Sequence, residues 1–123
     1  TMAYKIGVDK SSGIVNVTYS GTVSLDMRKQ AVEDVCEIHD PLEPLNILVD
    51  VRKLIMDLSL EEQKLFGRYL ASREELMDAK VAVLHTNDYN PNLAIDVHAF
   101  NSGYQLAEFS ALSQAVDWLT CNT

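Results

Sequence analysis

Residues 45–60 read LNILVDVRKLIMDLSL. The run from Asn46 to Val51 is apolar but for polar residues toward its ends, the pattern of a strand buried on both faces, so helices must cover it. Arg52 to Asp57 is expected to be a loop. Within it Leu54, Ile55 and Met56 are three consecutive apolar residues, either buried or waiting for a partner. Ser59 followed by Glu62 is a capping box. The helix it starts carries Leu58, Leu65, Phe66, Tyr69 and Leu70 as an apolar stripe and is predicted to reach about Leu76.

Upstream, Tyr4, Ile6 and Val8 alternate with polar residues or glycine, Lys10 to Gly13 supply turn chemistry, and Ile14, Val15, Val17 and Tyr19 form a second strand, which makes a β-hairpin. Gly21 is expected to break that strand. Ser24 then caps a helix running to His39, with Met27, Ala31, Val35 and Ile38 at helical spacing, and the segment from Asp40 to Pro44 stops it. Downstream, Lys80 to His85 reads as another buried strand, and Thr86 to Pro91 as a loop dense in turn formers. Asn92 to Asn101 reads as a helix with Leu93, Val97 and Phe100 on its apolar side, ended by Gly103. Gln105 to Phe109 is a short last strand. Ser110 is expected to cap a final helix that buries Ala111, Leu112, Ala115, Val116 and Leu119. The order is ββαβαβαβα with no internal repeat, which predicts an α/β domain over residues 2–121 with a mixed five-stranded sheet, largely parallel, and four main helices.

The 123 residues are 47% hydrophobic, enough for one domain with a core of its own. A net charge of −8 and a pI near 4.7 argue against nucleic acid and against electrostatic attachment to anionic membranes, since either needs a basic patch. Small molecules and proteins remain as partners, and the oligomeric state is not readable. No apolar run approaches the roughly 20 residues of a membrane span, and TMAYKIGVD lacks the regions of a signal peptide, so a cytoplasmic setting is expected. Cys36 and Cys121 stand far apart with no histidine at ligand spacing, which predicts reduced thiols and no metal site.

The element order resembles that of SpoIIAA-like, or STAS-like, domains over essentially the whole chain, and more specifically the stand-alone bacterial STAS/SEC14-type proteins of unknown function. The opening hairpin with a glycine before the first helix carries this likeness. So do the strand from Ile47 ending in Asp50 and the pairing of Phe100 with a closing helix that ends AVDWL at 115–119. In the phosphorylatable members of that group the helix start reads Asp-Ser-Ser-Gly. The matching positions here are Asp57, Leu58, Ser59 and Leu60, of which Asp57 and Ser59 agree. The likeness implies a regulatory or protein-interaction surface at the Ser59 helix, or, through the related Sec14-like domains, a carrier of a lipid-like or other apolar ligand with peripheral membrane association.

Phosphate at a helix N-terminus is chemically favourable, but Ser59 closing a capping box with Glu62 explains the same residues more simply. The carboxyl ends of the two buried strands offer a second candidate, with Asp50, Arg52 and Lys53 after one strand and His85, Asn87, Asp88 and Tyr89 after the next. Arg52 and Lys53 are a local basic pair able to hold an anion, and His85 would place an imidazole at the same end of the sheet. The plainer reading is that Asp50 and Arg52 tie down their own turn. His39 at a helix end and His98 within a helix have no ligand partner, and Asp26, Glu33, Asp34 and Glu37 read as the solvated face of the first helix. With no GxSxG, glycine-rich phosphate loop or Cys/His pair, the chain is expected to be non-enzymatic and to need no cofactor. A binding module is therefore expected, with a protein partner or a small apolar or anionic ligand.

Overall fold

The structure, a computed structural model, describes residues 3–38, 40 and 43–121. The described residues form β1 (Tyr4–Val8), β2 (Val15–Thr22), α1 (Leu25–Ile38), β3 (Asn46–Ile55), α2 (Leu60–Ala71), β4 (Lys80–Leu84), α3 (Leu93–Asn101), β5 (Gln105–Phe109) and α4 (Leu112–Thr120). The sheet runs β1-β2-β3-β4-β5, with β1 antiparallel to β2 and every other pair parallel. Its α/β order is the expected one. His39, expected at the end of the first helix, lies outside the described residues.

The layering follows from chirality. Three successive crossovers step across the sheet in one direction, and parallel crossovers share one hand, so α1, α2 and α3 must lie on the same face. The helix that follows β5, α4, lies on the other face, against β3, β4 and β5. Two cores result. The larger gathers Val17, Ile47, Val51 and Val83 under α1, α2 and α3, and the smaller gathers Leu48, Ala82 and Leu84 under Ala115 and Leu119 of α4. The strand Asn46 to Val51 is thus buried on both faces, as its apolar run predicts. Leu84, Ile95 and Leu119 are fully buried, each contributing about 1.5–3 kcal/mol. Lys80 pins the end of α4, donating from Nζ to the Trp118 carbonyl at 2.5 Å with its charge 4.5 Å from the Trp118 ring centre. A cation is favoured at a helix C-terminus.

Several boundaries and faces differ from expectation. Residues 52–55 belong to β3, with Lys53, Leu54 and Ile55 paired to Ser20, Gly21 and Thr22. Gly21 accordingly lies inside β2. Between Asp50 and Lys53 β3 advances three residues while β2 advances two from Thr18 to Ser20, so β3 carries a bulge. The extra residue reverses the alternation, which is why Leu54 faces the larger core while Ile55 is 60% exposed and Met56 packs only partly against it. α2 stops at Ala71, and Glu74–Leu76 form a separate 3-10 turn. β4 ends at Leu84, one residue short of His85. α4 is capped at Ala111 without a side-chain bond, and Leu112 is exposed. Trp118 packs against Phe109 with the rings tilted and their centres 5.7 Å apart, so the expected pairing of the last helix with Phe100 is replaced by one with its own preceding strand.

The helix faces shift most. On α1, Met27 and Ile38 are exposed and the buried set is Arg28, Ala31, Val32, Val35 and Cys36. On α2, Leu65 is exposed while Phe66 and Gly67 are buried. On α3, Leu93, Val97 and Phe100 all face solvent, Phe100 at 62%, and Ile95, Asp96 and Ala99 are buried. In α1 and α3 a charged residue occupies a core position, which a reading that sends charges outward rotates away. Glu33 and Asp34 are more than a solvated face as well. Glu33 accepts from the Tyr69 hydroxyl and pairs with Arg73, and Asp34 accepts from the Tyr4 hydroxyl.

α2 and α3 approach closely at Gly67, where a Cβ would fall 2.4 Å from Cδ2 of the His98 ring. Gly67→Ala is therefore predicted to destabilise the fold by about 1–3 kcal/mol, the cost of overpacking exceeding the roughly 1 kcal/mol that alanine gains in a helix. Adding His98→Ala should restore most of the loss in urea denaturation. A single variant as stable as the wild type would show that the two helices separate freely.

Candidate functional site

The Ser59 helix start has the geometry of a cap. Ser59 Oγ accepts from the Glu62 backbone N–H at 3.1 Å, and the Glu62 carboxylate accepts from the Ser59 N–H at 3.0 Å, a closed reciprocal pair. Asp57 is exposed beside it. Leu54 and Met56 pack with the larger core and Ile55 projects to solvent.

Asp50 and Arg52 hold the bulge of β3. The Asp50 carboxylate accepts from the Arg52 backbone N–H at 3.0 Å, from Nε at 3.0 Å and from Nη2 at 2.8 Å. Partial burial works against the charged form, but the hydrogen bonds from Arg52 outweigh it and hold the Asp50 carboxyl below its ordinary value. Arg52 is thus committed to its own strand. Lys53 is exposed, and so are Asn87, Asp88 and Tyr89, whose carbonyl accepts from Thr86 Oγ1. His85 is engaged through Nδ1 with the Thr86 carbonyl at 2.6 Å. Asp50 pairs in register with Leu84, whose side chain belongs to the α4-side core, so His85 is level with Val51. Among the described residues no hydrogen bond or ion pair joins His85 to Arg52 or Lys53.

A different set of polar residues converges inside the larger core. A cavity of about 80 Å³ lies between the sheet and α1, α2 and α3. Apolar side chains including Val17, Val32, Ile47, Ile95 and Ala99 line it, and Arg28, Asn92 and Asp96 supply its polar part. Leu54, Ile55 and Met56 do not line it. Arg28 is 2% exposed, yet among the described residues it makes no ion pair. Its Nη2 donates to Asn92 Oδ1 at 2.7 Å, and its guanidinium carbon stands 4.5 Å and 4.9 Å from the ring centres of Tyr19 and Phe66. Its Nε is buried without an acceptor.

Asn92 passes the interaction on, donating from Nδ2 to Asp96 Oδ1 at 2.7 Å. Asn90 donates from Nδ2 to Asp96 Oδ2 at 3.0 Å and to Glu108 Oε2 at 2.5 Å. Burial, reinforced by the hydrogen-bonded contact with Glu108, pushes the Asp96 carboxyl up to about 7 against the opposing effect of the two amides. Arg28 and Asp96 are therefore separated by one amide rather than directly paired. When Asp96 holds its proton, Arg28 is left as a buried cation facing two aromatic rings, the Tyr19 hydroxyl and an amide oxygen.

None of Arg28, Asn90, Asn92 and Asp96 was singled out by the sequence reading. The signal is nevertheless there. Arg28, Ala31, Val32 and Val35 stand at i, i+3, i+4 and i+7, and Asn92, Ile95, Asp96 and Ala99 repeat the spacing, so each helix carries polar residues inside an otherwise apolar stripe. Among the described residues no group of three or more histidine, cysteine, aspartate or glutamate side chains is placed to hold a metal ion, and none of their helices is long and apolar enough to cross a membrane.

No protein-family model matches the chain, and no curated protein matches it. Among solved structures it is similar to that of an uncharacterised protein of the DUF3478 family from Shewanella loihica PV-4, which has a SpoIIAA-like fold, with a TM-score of 0.63 at 18% identity over 95% of this chain and 92% of that one. The chain has the SpoIIAA-like fold that the element order predicts.

Two outcomes are expected at these residues. Ser59→Ala should lower stability by about 1 kcal/mol and Ser59→Asp should leave it nearly unchanged, since aspartate caps as well as serine; an equal loss for both would contradict the cap. For Asp96, the carboxyl ionises at its ordinary 3.8 in the unfolded chain and at about 7 when folded. Between those values the folded protein holds a proton that the unfolded chain releases, so raising the pH through that window removes stability. Wild type should lose of order 2 kcal/mol across it relative to Asp96→Asn. Urea denaturation of both proteins at about pH 5 and about pH 8 measures this, and parallel pH profiles would exclude it.

Proposed function

We propose that this protein is a small-molecule-binding module, a carrier or ligand-responsive domain, that takes an apolar ligand into the core between the sheet and α1, α2 and α3. The observation behind this reading is the cavity itself. Protein interiors are close-packed, and a void of about 80 Å³ forgoes roughly 2 kcal/mol at about 24 cal/mol per Å³. Alanines at positions 31 and 99, both lining it, leave space that larger side chains would fill. The lid is made of α2 and α3, which meet at Gly67 and His98. A drug-sized ligand needs about 300 Å³ or more, so a larger guest requires these helices to part.

A second reading, a protein-interaction surface, draws on the same helices. Leu60 and Leu65 of α2 and Leu93, Val97 and Phe100 of α3 are exposed apolar residues on the outer side of that lid. The contact surface would then centre on these side chains rather than on the Ser59 hydroxyl.

The carrier reading is tested with a neutral guest. Titrating 1-octanol into the ¹⁵N-labelled protein should shift the amides of Val32, Ile95 and Ala99 saturably at millimolar concentration. Ala99→Val, which fills part of the void, should weaken that binding about tenfold without lowering Tm. If neither octanol nor its acid analogue produces a saturable shift in the wild type, the carrier reading fails.

A further inference from the structure

We propose that the ligand of this cavity is a monocarboxylate with an apolar body, its carboxylate held by Arg28. This rests on the carrier reading and deepens it by naming the chemistry of the guest. A guanidinium taken wholly out of water is expensive unless an anion or a full set of acceptors replaces the water. Arg28 is 2% exposed, one of its nitrogens reaches Asn92, and Nε has no acceptor. The faces of Tyr19 and Phe66 lie 4.5 Å and 4.9 Å from its guanidinium carbon and attract the charge, but a ring face supplies no oxygen to an N–H in the guanidinium plane, and even with the Tyr19 hydroxyl nearby Nε has no acceptor. A carboxylate oxygen at Nε would complete both the charge and the hydrogen bond.

The surroundings decide between anions. Among the described residues lining the cavity Arg28 is the only cation, and Asp96, one amide away, leaves its charge unanswered when it holds its proton. One carboxylate is what this arrangement can balance. A phosphate brings about two charges and three acceptor oxygens and would leave most of them unpaired among apolar side chains. The remaining lining, Val32, Ile47, Ile95 and Ala99 among it, suits a hydrocarbon or ring attached to the carboxylate. The net charge of −8 would repel an acid at the surface, so the preference must be generated inside, where water does not screen Arg28.

Octanoate, 1-octanol and octyl phosphate, titrated into the wild-type protein at near-neutral pH and followed by amide shifts, separate the possibilities. The proposal predicts octanoate to bind about tenfold or more tightly than the alcohol, a difference typical of one charge-assisted hydrogen bond. Octyl phosphate should bind more weakly than octanoate. Arg28→Met should abolish the preference for the acid while retaining the alcohol, and Arg28→Lys, which keeps the charge but loses the Nε–H, should retain only part of it. Equal binding of acid and alcohol overturns the carboxylate assignment while the carrier reading stands. Octyl phosphate equal to or tighter than octanoate also overturns it, in favour of a phosphorylated lipid. No binding of any of the three overturns both. The three-ligand comparison on the wild type decides the matter even if both Arg28 variants fail to fold.

Discussion

A cation removed from water has to be answered by something, and Arg28 imposes that requirement on the larger core. Its place in the stripe of α1 commits Tyr19 of β2 and Phe66 of α2 to offer ring faces, and Asn92, at the start of α3, to offer an amide oxygen. Asn92 then fixes Asp96 on the next turn, and Asn90 carries the connection to Glu108 on β5. One side chain thereby touches or orders elements from β2 to β5. A leucine in its position would fill space and demand none of this, so the polar chain is a specificity device as much as a source of stability.

Topology sets the stage for it. Because the strand order is monotonic, the three crossover helices share one face and cover one large core, and the smaller core under α4 needs only a few side chains. The absence of a strand-order reversal removes the crevice in which open α/β sheets usually place ligands. Space instead appears beneath the helices. The bulge in β3 belongs to the same economy of strands, since it turns Leu54 inward and is clamped by Asp50 and Arg52, which the plainer reading of the sequence has tying down their own turn. That pair is spent on backbone geometry.

Element order and sheet character were legible in the sequence because they depend on local periodicity and turn chemistry. The double burial of Asn46 to Val51 and the Ser59–Glu62 capping box were legible for the same reason. Helix orientation was not. Met27, Leu93, Val97 and Phe100 look like core by hydropathy, and Arg28 and Asp96 look like surface, whereas the structure exchanges them. The exchange depends on Arg28 meeting Asn92, 64 positions away, and no local pattern encodes a contact at that separation. The spacing i, i+3, i+4, i+7 shared by the two stripes was the available clue, and it becomes readable only when polar residues are allowed into a core position. The extension of β3 through Lys53 was hidden likewise, since a charged pair ended the apolar run while the ladder with β2 continued.

The central claim is that Arg28, besides ordering the larger core, is a ligand-binding group with an unused hydrogen bond. Its Nε–H resonance reports on this directly in ¹H–¹⁵N spectra, because an arginine Nε–H buried from water exchanges slowly enough to be seen and moves when it gains an acceptor. The account predicts a distinct signal in the free protein that shifts downfield on adding octanoate and stays in place on adding octanol. A signal that does not move while the amides around the cavity respond to octanoate would contradict it.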